Sequence, residues 1–201
     1  MIRTVIAEQT ALVRAGLVAF LAAEEDIEVI TELRRGEDLV PVARALRPDV
    51  VVLDAALPGL DGFSAAAALH EALPSCHCLI ISAERRPSDL RRAAAAHASG
   101  FVVRDAAQDF ITYAIRRVSK GFKVIDPELA FAALNAEPNP LTERELAALR
   151  FAAQGASTAE IARRLCLSVG TVRNYLSRAI TKTGAKNRVD LIRISDSSGW
   201  L

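Results

Sequence analysis

Five short runs built on Val, Ile and Leu recur along the first 118 residues: TVIA (4–7), EVIT (28–31), VVVL (50–53), CLIIS (78–82) and FVVR (101–104). No other feature limits the fold as much. A strand with one face in water alternates apolar and polar residues, so nearly unbroken apolar runs predict strands covered on both faces. The stretches between them, 10–23, 36–46, 61–73, 87–97 and 107–119, carry helical patterning. Parallel strands must be joined by crossovers, usually helices. Five βα units in a row therefore predict an α/β doubly wound, five-stranded parallel sheet over residues 1–120.

After Lys120-Gly121 the pattern loosens, and NAEPNP (135–140) places Pro138 and Pro140 within six residues. These mark a linker, assigned to 121–139. Residues 140–201 read as all-helical, with helices expected at about 142–154, 157–165, 168–183 and 187–196. Thr142 and Glu145 have capping-box spacing, and Gly155 and Gly184 are breaks. Charge divides at the same place. Residues 1–138 hold 15 Lys/Arg against 19 Asp/Glu, a net of −4, while residues 139–201 hold 10 against 5, a net of +5. An acidic front and a basic tail predict two domains, the second facing a polyanion.

With hydrophobic residues at 51% of 201, the chain has ample material for packed cores. No apolar stretch reaches the roughly 18 residues of a membrane span, and MIRTVIAEQT lacks the regions of a signal peptide. A cytoplasmic protein without a membrane partner is expected. Three cysteines, Cys76, Cys78 and Cys166, do not make a disulfide framework. Cys76, His77 and Cys78 with His70 nearby admit a zinc reading or ordinary burial; a Cys-x-Cys inside a strand without a second spaced pair favours burial. Ala93–Ala96 form an alanine run within a helix.

Ligands of doubly wound sheets bind outside the carboxyl ends of the strands. There the sequence places Glu8 and Gln9, Asp54, Ser82 and Arg104. Such a set can receive a phosphoryl group, with Asp54 as nucleophile and Ser82 and Arg104 as partners for its oxygens; alternatively these residues are polar because strand ends reach solvent. The stretch VVVLDAALPGLDG (50–62), Ser82-Ala83 and Gly100–Asp105 resemble a response-regulator receiver domain over about residues 1–120. The resemblance implies a flavodoxin-like fold, Asp54 as phosphoacceptor, Ser82 and Arg104 as switch positions, and Phe101 as the switch aromatic. It also implies Mg²⁺ held by Glu8, Asp54 and Ala56, and a histidine kinase as partner.

Two residues depart from that pattern. Gln9 stands where the family usually has a second acid that coordinates Mg²⁺ directly, and Arg104 where a lysine is usual. Mg²⁺ is a hard cation that prefers carboxylate oxygens in octahedral array, and phosphoryl transfer relies on it to offset charge. Gln9 removes one negative charge. Arg104 keeps the cation in planar form and is placed to bridge to Asp54 or Glu8 at rest. The expectation is weak or absent Mg²⁺ binding, with phosphorylation at Asp54 impaired or replaced by another input; the alternative is conventional activation by a kinase. A hydrolase using Asp54 as nucleophile is the remote reading. It needs a second aspartate two residues on, where Ala56 stands, so no enzyme is expected.

In the tail, Ala156–Ala162 open one helix and Cys166-Leu167-Ser168 join it to another, with Ile161, Ala162 and Leu165 inward and Ser168 as cap. The second helix sets an apolar stripe (Val172, Leu176, Ile180) against Arg173, Asn174, Ser177, Arg178 and Lys182. Such a helix suits the major groove, or is a solvated surface. The segment 141–188 resembles the LuxR-type helix-turn-helix of NarL/FixJ response regulators. That implies double-stranded DNA as partner, with Arg173, Asn174 and Ser177 toward bases and Thr171, Tyr175, Arg178 and Lys182 toward phosphates. It also implies a homodimer on paired half-sites, with the last helix (Val189–Ser195) at the contact. Phe110, Ile111, Ala114, Ile115 and Val118 exceed one buried face, so they either all pack on the sheet or partly serve pairing through the first and fifth receiver helices.

Overall fold

The computed structural model describes residues 1–84, 86–134 and 139–201, so residues 135–138 of the linker expected at 121–139 lie outside the described residues. The chain divides into two compact units, the bulk of the first running from Met1 to Ala132 and that of the second from Ala133 to Leu201.

The first unit alternates strand and helix: β1 (Ile2–Ala7), α1 (Ala11–Leu21), β2 (Ile27–Leu33), α2 (Leu39–Leu46), β3 (Val50–Asp54), α3 (Gly62–Ala72), β4 (His77–Ser82), α4 (Pro87–Ala95), β5 (Gly100–Val103) and α5 (Gln108–Val118). A further strand, β6 (Val124–Ile125), and α6 (Pro127–Leu134) follow. All strand pairs are parallel, in the order β2-β1-β3-β4-β5-β6. The sheet thus has six strands rather than five. The sixth is two residues long, too short to show any periodicity, and it falls in the stretch 121–139 expected as linker.

The apolar runs behave as strands covered on both faces. Val5, Val51, Leu53, Ile80 and Phe101 enter one core with residues of α2 and α3. Their neighbours Ile6, Val50, Val52, Leu79, Ile81 and Val102 enter another with Leu21, Ile111 and Ile115. Full burial of each large aliphatic side chain is worth roughly 1.5–3 kcal/mol. Gly100 is required by this packing, since a Cβ there would lie 2.6 Å from Leu79 Cδ1 and 3.1 Å from Val118 Cγ1. On α5, Ile111, Ala114, Ile115 and Val118 are buried and Phe110 is half-buried, so most of its apolar surplus goes to the sheet. Large apolar side chains on the outer surface include Leu12, Tyr113, Phe122 and Phe131.

The second unit is helical: α7 (Glu143–Ala153), α8 (Thr158–Arg164), α9 (Val169–Thr183) and α10 (Arg188–Ser197). Each start is capped by a side-chain oxygen, from Thr142, Ser157, Ser168 and Asn187 in turn, and Thr142 with Glu145 forms a full capping box. Gly184 ends α9 in the left-handed region at φ 66°. Leu149, Ile161, Ala162, Val172, Leu176 and Ala179 make the core, and Leu165 packs against it half-buried.

Candidate functional site

Strand order 2-1-3 places the topological switch point between β1 and β3, and the register brings their ends level, Ala7 beside both Leu33 and Leu53. Glu8, Asp54 and Ser82 all lie at this carboxyl edge and are buried. The loop after β3 folds back tightly, with Gly62 N donating to Ala55 O at 3.0 Å. A Cβ on Gly62 would sit 2.2 Å from Asp54 O, so only glycine lets α3 start so close to the acid.

Arg104 reaches across from β5. Its Nη2 donates to Asp54 Oδ1 at 3.0 Å and to Glu8 Oε2 at 3.1 Å, tying together the ends of β1, β3 and β5. Both carboxylates are nearly sealed from solvent, at 2% and 3% side-chain exposure, whereas Arg104 retains 31%. Glu8 Oε1 accepts from Thr10 N at 2.6 Å, and Asp54 Oδ1 also accepts from Ala56 N at 3.3 Å. Gln9 does not turn toward the acids. Its Nε2 donates to Ala56 O at 2.7 Å. Asp54 Oδ2 has no hydrogen-bond partner among the described residues.

Arg14, Phe63 and Arg92 were not singled out from the sequence, whereas Ser82 and Phe101 were. Arg14 of α1 is buried and donates to Glu8 O at 2.9 Å and Gln9 O at 3.3 Å, while its Nε pairs with Glu32 Oε2 at 3.1 Å. Ser82 Oγ accepts from Glu84 N at 3.2 Å. Phe101 points inward at 1% exposure and stacks on Phe63 with ring centroids 6.3 Å apart. Arg92 lies 4.0 Å above Phe63 and pairs with Asp61 at 3.1 Å. A buried arginine in an amphipathic helix, or a phenylalanine after a loop, reads from sequence as surface or core.

Away from this edge, His70 stacks on His97 at 4.5 Å, and His77 Nδ1 lies 3.2 Å from Ser99 Oγ. Cys76 and Cys78 are buried. Burial, with Asp49 nearby, pushes the Cys76 thiol up to about 12, and burial also raises Cys78. Both are protonated and poor nucleophiles or ligands at neutral pH.

In the second unit, α8 and α9 meet at a turn where Cys166 adopts φ 55°. Arg173, Asn174, Ser177 and Arg178 are exposed along α9, and Thr171 and Tyr175 half-buried beside them, while Val172, Leu176 and Ala179 face the core. Thr181 shares the exposed face and was not singled out from sequence. Lys182 also lies on α9, with its Nζ donating to Glu145 Oε2 at 2.7 Å while the side chain stays 36% exposed. Burial opposes ionisation of Glu145. Hydrogen bonds from Lys182 and Thr142 outweigh it, so the carboxyl titrates below its ordinary range.

The family model described as "Response regulator receiver domain" matches residues 4–116, and that of "Bacterial regulatory proteins, luxR family" matches residues 139–195. The chain belongs to the response-regulator family. It is a LuxR-type DNA-binding transcriptional regulator, similar along its whole length to two Bacillus subtilis proteins. One is the uncharacterized transcriptional regulatory protein YvfU, 38% identical over 201 residues, covering all of both chains. The other is the transcriptional regulatory protein DesR, 36% identical over 200 residues, covering 100% of this chain and 99% of DesR. Among solved structures, that of two RcsB dimers bound to two parallel DNAs superposes with a TM-score of 0.71 at 22% identity, covering 98% of each chain, which supports the fold. Among the described residues of this response regulator, no helix is long and apolar enough to cross a membrane.

Proposed function

We propose that the receiver of this transcriptional regulator is switched by an input other than Mg²⁺-dependent phosphorylation of Asp54. One observation carries the reading: a single guanidinium, Arg104, bridges Asp54 and Glu8, and the amide of Gln9 covers the carbonyl of Ala56. The residues present do not fit Mg²⁺, which the family implies. Glu8 uses both carboxylate oxygens, Asp54 uses Oδ1, and Ala56 O is taken, so only Asp54 Oδ2 is without a donor among the described residues. A hard dication that needs six oxygens would have to displace both the guanidinium and the amide.

Arg104 acts in place of the metal charge at rest, neutralising one of two buried carboxylates and fixing three strand ends. A ligand or protein that binds better to the arrangement with this bridge open shifts the population toward it. Kinase input at Asp54 is the second reading, favoured by the partnerless Asp54 Oδ2. For output, α9 enters the major groove with Arg173, Asn174 and Ser177 toward bases and Thr171, Tyr175 and Arg178 toward phosphates. Lys182, which gives one donor to Glu145, joins the phosphate side with the other two. The protein acts in the cytoplasm as a homodimer on paired half-sites, without enzymatic activity. Exposed Leu12 of α1 and Val189 of α10 are available to the dimer contacts, and the receiver body includes β6 and runs to about Ala132, with the linker beyond it.

The test pairs calorimetry with Mg²⁺ at millimolar concentration, acylation by acetyl phosphate followed by mass, and DNA affinity of wild type and Asp54→Ala. The expected result is no binding heat, no phosphoryl gain and equal DNA affinity. Mg²⁺ binding together with stable acylation of Asp54 overturns the reading.

A further inference from the structure

Beside the switch aromatic, a groove of about 270 Å³ opens between α4 and β6. Its walls are apolar, among them Leu90, Ala94, Phe101, Val124 and Ile125, and the alanine run of α4 keeps the near wall low. Lys123 is the one charged residue in the lining. Its ammonium donates to Ala98 O at 2.7 Å and is in no ion pair among the described residues, so two of its three donors are uncommitted. Small-molecule sites have this make-up, a concave apolar body with one or two polar groups that fix orientation.

We propose that this groove binds a small organic acid, an apolar body of roughly nine heavy atoms if each takes a water's share of about 30 Å³, with its carboxylate on Lys123. The apolar walls choose the body, and the lone cation at the rim chooses the anion. The location gives such a ligand leverage. Phe101 lies in the floor, Ile125 pairs with Phe101 across the ladder, and Asp126 N donates to Phe101 O at 3.1 Å. An occupant therefore presses between α4 and the strand that leads into α6, away from Asp54. Only this use as an input rests on the function proposed above; the site itself stands on its own lining.

Hexanoate and neutral hexanol, titrated at millimolar concentration into the full ¹⁵N-labelled chain, test the site. Saturating amide shifts are expected at Ala94, Phe101 and Val124, with hexanoate binding about two- to fivefold tighter, the range of a solvent-exposed ion pair. Lys123→Gln erases that preference. Ala94→Phe, at an exposed helical position, fills the groove and abolishes the shifts; if that variant unfolds, Lys123→Gln still decides the anion's role. Absent or scattered shifts, or shifts undiminished in folded Ala94→Phe, overturn the site. Equal binding of hexanol and hexanoate, or a preference that survives Lys123→Gln, overturns the acid. Acetyl phosphate on the same samples separates the two proposals: acylation of Asp54 with groove shifts present refutes the metal-free switch and keeps the site, whereas no acylation and no shifts refutes the site alone.

Discussion

Replacing Arg104 with methionine removes the charge and keeps much of the volume, which leaves Glu8 and Asp54 buried with no cation between them. The two contacts are 3.0 and 3.1 Å long. At an effective dielectric constant of about 20, each unit pair at that distance corresponds to a gross attraction of roughly 5 kcal/mol. Desolvation of both acids and the partial exposure of Arg104 offset much of it, and breaking a buried pair costs about 3–5 kcal/mol. We take the lower end, about 3 kcal/mol, which at roughly 4 °C per kcal/mol lowers the receiver's melting point by about 12 °C. The assay is thermal unfolding by far-UV circular dichroism at pH 7 for Arg104→Met, Asp54→Asn and the double variant. Asp54→Asn alone leaves the Arg104–Glu8 pair intact and is expected to be near neutral. In the double variant one repelling carboxylate is gone, so at least half of the loss returns. A drop of under about 4 °C for Arg104→Met, or a double variant no better than the single, refutes the bridge as the element holding the strand ends together.

Gln9→Asp combined with Arg104→Lys frees Ala56 O and restores an acid, so calorimetry is expected to show Mg²⁺ binding at millimolar concentration and acetyl phosphate to acylate Asp54; an inert double variant counts against the assignment of these two residues. Arg173→Ala is expected to weaken specific DNA binding by about 1–3 kcal/mol and to relax preference at one base position, and a loss of under about 0.5 kcal/mol in a titration excludes a bidentate base contact. Because the folded-state carboxyl of Glu145 titrates below its ordinary value, the stability it contributes is present above about pH 4.3 and is lost as pH falls through the lower folded value. Acid melting of the full chain followed at Trp200 is expected to show this loss, with Lys182→Met reducing the dependence; an unchanged profile in Lys182→Met refutes the pairing.

The strands were legible because residues such as Val50–Leu53 and Leu79–Ile81 need cover on both faces, and only one architecture gives it. The carboxyl-edge set followed from where those strands end. What stayed hidden depends on which way a side chain turns among near-equal options. Gln9 can offer its carbonyl or its amide, and the nearby Ala56 O decides for the amide. Lys182 lies on a basic helix, yet the buried Glu145 draws it inward. Arg14 looks like any helix-surface cation, and its burial follows from the free carbonyls at the end of β1. On α5, the apparent apolar surplus was consumed because the helix packs beside both β4 and β5. β6 was unreadable for a different reason: its hydrogen bonds come from the exposed edge of β5, and a two-residue segment has no pattern of its own.

That short strand matters for handling the protein. Without it, β5 would be the open edge of the sheet, presenting Gly-Phe-Val-Val with neither charge nor proline, the kind of row that recruits a strand from another molecule. A receiver fragment cut at residue 120 is therefore expected to aggregate through β5. One that continues through Leu134 keeps Gly100 and Phe101 of that edge paired and suits crystallisation or spectroscopy of the isolated receiver.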